Sequence, residues 1–139
     1  MEYRYTANYT PCVNVYSDYY SFSAKRKEFK TLGDFGYACV FQEYQRTVDF
    51  LKESAEKHGF SLKIPSWETF REPFGDQPIS AHIFWEKLHF YFADYLREIP
   101  DIPEESIQAA MIMQEEWNSV LVVAQLADAY VGYWWMTGV

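Results

Sequence analysis

From Val120 to Met136 the chain reads Val-Leu-Val-Val-Ala-Gln-Leu-Ala-Asp-Ala-Tyr-Val-Gly-Tyr-Trp-Trp-Met, with no Lys, Arg or His beyond Arg97. A stretch this apolar has to leave water, either into lipid or into a protein core. It is shorter than the about 20 apolar residues a spanning helix needs, it carries Gln125 and Asp128, and no basic residue flanks it. The pattern predicts a helix buried in a core and no membrane association.

The same face extends upstream. Asp101 and Pro103-Glu104-Glu105 suit a helix start, where a capping side chain and acids favour the positive end of the dipole. Ile107, Ala110, Met111, Trp117, Val120, Leu121, Ala124, Ala127 and Val131 continue one apolar side, interrupted by Gln114. This is either one helix of about 30 residues or two that break near Asn118-Ser119.

Two more helices are expected before it. Gly33-Asp34-Phe35-Gly36 reads as a turn with Asp34 as N-cap. Tyr37, Val40, Phe41, Tyr44, Val48, Leu51 and Ala55 follow at spacings of three and four, and Gly59 is a suitable stop after His58. Ser80 caps a helix over 81–98, with Phe84, Leu88, Tyr91, Phe92 and Tyr95 as its buried stripe and Pro100 ending it. Between them, Pro65, Pro73, Gly75 and Pro78 mark a loop with one helical turn after Ser66, and Trp67, Phe70 and Phe74 pin it to the core. Residues 1–23 are Tyr-rich and β-like. Tyr3 and Tyr5 alternate with polar neighbours, as do Val13 and Val15, and Thr10-Pro11 turns between them.

The expected fold is therefore mainly α, a single-domain bundle of three to four helices with a short N-terminal β-ribbon. Residues 1–139 form one domain: a Tyr-rich arm and basic linker over 1–33, and an acidic helical core over 34–139. At 139 residues the chain can bury a core without metal or disulfide staples. Cys12 and Cys39 are too few for a disulfide scaffold or a four-thiolate zinc site. They read as reduced thiols, and Met1-Glu2-Tyr3-Arg4 lacks a signal-peptide pattern, so a cytoplasmic location is expected.

Charge is the strongest functional signal. Lys and Arg number 12 against 20 Asp and Glu, a net charge of −8. That argues against direct nucleic-acid binding, which needs clustered cations. Glu98, Asp101, Glu104, Glu105, Glu115 and Glu116 lie in a segment with no basic residue. An ordinary solvated helix mixes signs and carries a cation near its end. An acidic face suits a basic partner, and it raises the rate of encounter with one. Aromatic residues are 20% of the chain, and Tyr130, Tyr133, Trp134 and Trp135 stand together. Rings of these types anchor protein interfaces, and at least one of the four is expected to face solvent or a partner.

Catalytic signals are weak. His82, Glu86 and His89 share one helical stripe, and Glu86-Lys87-Leu88-His89 matches half of a di-iron carboxylate element, but the second copy is missing. Cys39 near a helix N-terminus is a conceivable nucleophile, yet it sits beside the apolar face. No nucleophile elbow, phosphate-binding Gly loop or His-Glu-x-x-His occurs. The sequence thus points to a non-enzymatic acidic inhibitor without a cofactor. Its expected partner is a basic protein, such as a nuclease or nucleic-acid-binding complex, bound in the manner of an immunity protein or a phage-encoded anti-CRISPR-like inhibitor. DNA mimicry by the acids of 98–116 is one form of that reading. The alternatives are a metal protein or enzyme built on His82, Glu86 and His89, and a homodimeric structural subunit joined through the apolar C-terminal helix.

Overall fold

The computed structural model describes residues 10–13, 17–59, 63–91 and 101–137. Its centre is an antiparallel sheet. In chain order the elements are β1 (Thr10–Val13), β2 (Ser17–Lys25), α1 (Leu32–His58), α2 (Trp67–Arg71), β3 (Gln77–Ile79), α3 (Ala81–Tyr91), β4 (Ala109–Glu116), β5 (Ser119–Gln125) and β6 (Ala129–Thr137). The six strands lie in the order β1-β2-β6-β5-β4-β3. One-turn 3-10 helices cover Arg26–Glu28 and Glu104–Ser106.

The expected helical bundle is overturned. The C-terminal third is a three-stranded meander, β4-β5-β6, where a helix of about 30 residues was expected. The reason lies in β5. Val120, Leu121, Val122, Val123 and Ala124 are all fully buried, because helices cover both faces of the sheet. A strand buried on both sides shows no alternation, so its periodicity cannot be told from that of a core helix. The expected break at Asn118-Ser119 does correspond to a feature, the tight turn between β4 and β5.

On one face α1 packs over Phe22, Met113, Leu121, Val123, Tyr130 and Trp134, through Leu32, Phe35, Cys39 and Val40. On the other, α3 inserts Phe84 and Leu88 among Ile107, Ala110, Ile112, Val120, Val122, Ala124 and Tyr133. Two glycines allow close approach. A Cβ on Gly36 of α1 would lie 2.7 Å from Met113 Sδ, and one on Gly132 of β6 would lie 3.2 Å from Val123 Cγ1. Gly36 therefore belongs to the helix and is not part of a turn.

The helix termini follow local chemistry. The Thr31 hydroxyl, one turn ahead of the expected Asp34, accepts the Asp34 N–H at 3.1 Å. Gly59 closes α1 in the left-handed region at φ 71° and donates its N–H to the Ala55 carbonyl at 2.9 Å. Ser66 caps α2, and the Ser80 hydroxyl accepts the Ile83 N–H at 3.1 Å. At 27 residues α1 is about 40 Å long, while the sheet is about 24 Å wide across six strands. Its buried residues accordingly stop at Val40, and Val48, Leu51 and Ala55 are half-buried where a buried stripe was expected.

In the loop, Trp67 meets Phe41 at 5.1 Å, Phe70 meets Tyr44 at 5.2 Å, and Phe74 meets Trp134 at 5.3 Å between ring centroids. These rings do fasten it to the core. The expected N-terminal ribbon is corrected: Thr10 and Pro11 lie within β1 and not in a turn, and β2, which pairs with β1, also pairs with β6 and so belongs to the main sheet. Tyr3, Tyr5, Val15, Phe92, Tyr95, Glu98 and Pro100 lie outside the described residues. The basic linker is structural in part: the Arg26 guanidinium donates to the Leu126 carbonyl at 2.6 Å and to Gln108 Oε1 at 2.8 Å. Among the described residues the sheet ends on β1 and β3, both short, with Pro11 in one and Pro78 in the other.

Candidate functional site

The register of β4 decides what the α3 side presents. Ile112 pairs with Val122, but Gln114 pairs with Leu121, so Met113 is the extra residue of a β-bulge. Met113 and Gln114 both lie on the α1 side, and the side chains beyond them exchange faces. Glu115, opposite Val120, therefore points to the α3 side. Without the bulge it would face α1. The bulge is held on both flanks. Gly75 donates its N–H to the Met113 carbonyl at 2.9 Å. Trp134 Nε1 donates to Ser119 Oγ at 2.8 Å, and that hydroxyl donates to Gln114 Oε1 at 2.5 Å.

Glu115 Oε2 accepts hydrogen bonds from Lys87 Nζ at 2.5 Å and from the Tyr91 hydroxyl at 2.8 Å, both side chains of α3. The bond from Lys87 is the main reason its carboxyl is held below the ordinary glutamate range, with Tyr91 assisting against desolvation. Tyr91 is pushed up to about 12, by burial first and then by its bond to the Glu115 carboxylate. Its ring lies 5.7 Å from Trp135 and 4.9 Å from Phe90, the latter edge-on at 88°. Glu86, Lys87, Phe90 and Tyr91 line an open cleft of about 390 Å³. Phe90 is 75% exposed, as is Trp117 in the turn that follows Glu115 and Glu116.

A second ionic group lies at the start of α3. His82 Nδ1 meets the Glu104 carboxylate, and its Nε2 lies 2.8 Å from Glu86 Oε1. Only the imidazolium donates from both nitrogens, so the hydrogen bond and charge of Glu104, then Glu86, raise the His82 pKa. This pair ties the 3-10 turn at 104–106 to α3.

Several expected site residues change role. Tyr130, Tyr133 and Trp134 are buried at 1%, 3% and 2% exposure, and alternation along β6 sends Tyr130 and Trp134 to the α1 core and Tyr133 to the α3 core. They are core residues and cannot anchor a partner. Trp135 is half-buried against Tyr91. Asp101, Glu105 and Glu116 are exposed, whereas Glu104 and Glu115 are engaged by His82 and Lys87. Phe90 and Trp117, in contrast, are large exposed rings, although Trp117 was expected on an apolar helical face.

The metal triad does not assemble. His82 and Glu86 do meet, but His89 Nδ1 donates to the Trp85 carbonyl at 2.8 Å and its ring lies on Trp85 at 4.0 Å. Among the described residues no three His, Cys, Asp or Glu side chains converge as metal ligands. Cys39 is fully buried against the sheet, which removes it as a nucleophile. The apolar C-terminal helix on which the homodimer reading rested is replaced by core strands. Among the described residues no helix is long and apolar enough to cross a membrane. No protein-family model matches the chain, and no curated protein or solved structure matches it either.

Proposed function

We propose that this protein acts by binding and blocking a basic surface of another protein, without chemistry of its own. The observation that carries the reading is two large, three-quarters-exposed rings set beside acids, Phe90 with Glu86 on α3 and Trp117 directly after Glu115 and Glu116 in the β4–β5 turn. Exposed aromatic side chains of this size are costly in water and are the residues that most often dominate binding energy at interfaces. The carboxylates add a field that attracts basic partners and rejects acidic ones. A nuclease or another nucleic-acid-binding protein, whose phosphate-binding groove is basic, is the partner class this surface would fit. Immunity proteins and phage-encoded inhibitors act in this stoichiometric way.

The test is native mass spectrometry of the protein purified gently from its own cells, beside the variant carrying Trp117→Ala, Glu105→Lys and Glu116→Lys. The expected result is a complex heavier by one other polypeptide, lost in the variant and weakened by salt. An equal yield of complex from the variant refutes the proposal.

A further inference from the structure

The corner between the Phe90 and Tyr91 rings already holds a cation. Lys87 Nζ lies 5.9 Å from the Tyr91 ring centroid while it donates to Glu115. That distance is at the outer limit of a cation–π contact. The pair is also solvent-accessible, with side chains 31% and 35% exposed, and exposed pairs of this kind contribute little. The Phe90 ring, in contrast, is 75% exposed. The site thus has two perpendicular rings and the carboxylate of Glu86 in its lining, with Glu115 bonded to its Lys87 and Tyr91 side chains, and an ammonium that fits it poorly.

We propose that this cleft receives an arginine side chain, whose guanidinium displaces Lys87 from Glu115 and stacks on Phe90. This deepens the partner-binding reading above and rests on it. Arginine suits the geometry better than lysine. Its planar fork bonds both oxygens of one carboxylate while its face lies on an aromatic ring, and it sheds water more readily than an ammonium. A cleft of about 390 Å³ is at the small end of binding-site sizes, enough for one side chain. Lys87 then acts as an internal placeholder. It keeps Glu115 paired in the unbound protein and swings to solvent on binding.

The experiment titrates isotope-labelled full-length protein with acetyl-Gly-Arg-Gly-amide and with its neutral citrulline counterpart, followed by NMR. The arginine peptide should give saturable shifts in the Phe90 and Tyr91 rings and the Lys87 side chain, with millimolar affinity that falls with salt. Citrulline should give none. Lys87→Ala, by removing the competitor, should tighten binding by about 2- to 5-fold, the range an exposed ion pair allows, and Glu115→Gln should weaken it. A response equal for both peptides, or weaker binding in Lys87→Ala, overturns the assignment. So does a flat titration in a protein whose partner complex still depends on Trp117, Glu105 and Glu116, although the blocking reading then stands.

Discussion

Replacing Ser119 by Ala removes one hydroxyl and isolates one buried donor. Trp134 is 2% exposed, and its Nε1–H has Ser119 Oγ as acceptor at 2.8 Å. After Ser119→Ala that N–H sits in an apolar layer unpaired, which costs about 1–3 kcal/mol. Gln114 loses its bond to the same hydroxyl, but it is half-buried and can turn to water, so its share is small. For 139 residues the entropy of unfolding is about 0.3 kcal/mol per kelvin, so a loss of about 2 kcal/mol lowers Tm by about 7 °C. The assay is urea and thermal unfolding followed by Trp fluorescence, with Trp134→Phe completing a double-mutant cycle. With the indole donor gone, Ser119→Ala should be much cheaper, leaving a coupling of about 1 kcal/mol or more. Equal costs of Ser119→Ala in both backgrounds would refute the account of this network, and with it the claim that it holds the bulge.

Other outcomes follow from the same geometry. Phe84→Ala opens a cavity in a fully buried site and should cost about 3–5 kcal/mol by urea unfolding, whereas Trp117→Ala, at an exposed position, should stay within about 0.5 kcal/mol while weakening partner binding. Tyr91 should titrate near pH 12 by near-ultraviolet absorbance. Because its pKa is raised on folding, its stabilising share is complete below pH 10 and is lost as pH rises toward 12. In Glu115→Gln its pKa should fall only part-way, since burial is the larger cause. His82 should titrate above 6.5 by NMR and move back toward that value in Glu104→Gln. The docking of the 104–106 turn it supports is present below 6.5 and fades as pH rises through its folded-state pKa.

The helices were legible because their signals are local. Ser80, Ser66 and Gly59 declare ends through side-chain or backbone chemistry within a few residues. The strands of the meander were not, because the cause of their pattern is remote. β5 is continuous in Val and Leu because α1 and α3, far away in sequence, cover both of its faces. The clues to a strand were there in its β-branched residues and its length of seven. The long run of acids without a cation, odd for a helix, was a further one. The site suffered from the same error. The helical reading expected at least one of Tyr130, Tyr133, Trp134 and Trp135 to face solvent or a partner, whereas period-two alternation divides Tyr130, Tyr133 and Trp134 between two cores. Glu115 was marked as a candidate from charge, but its partners Lys87 and Tyr91 depend on a one-residue bulge that no spacing rule reveals.

The prolines in the outer strands bear on how this protein behaves at high concentration. A β-sheet can grow by recruiting a neighbour's strand wherever a row of amide donors is left open, and this is how many sheet proteins polymerise. Proline offers no donor, and Pro11 and Pro78 interrupt that row on the two outermost described strands, each already too short to template a long pairing. Self-association along the sheet is thereby discouraged in both directions. For a chain with 28 aromatic residues (12 Tyr, 11 Phe and 5 Trp), this closes one route to aggregation.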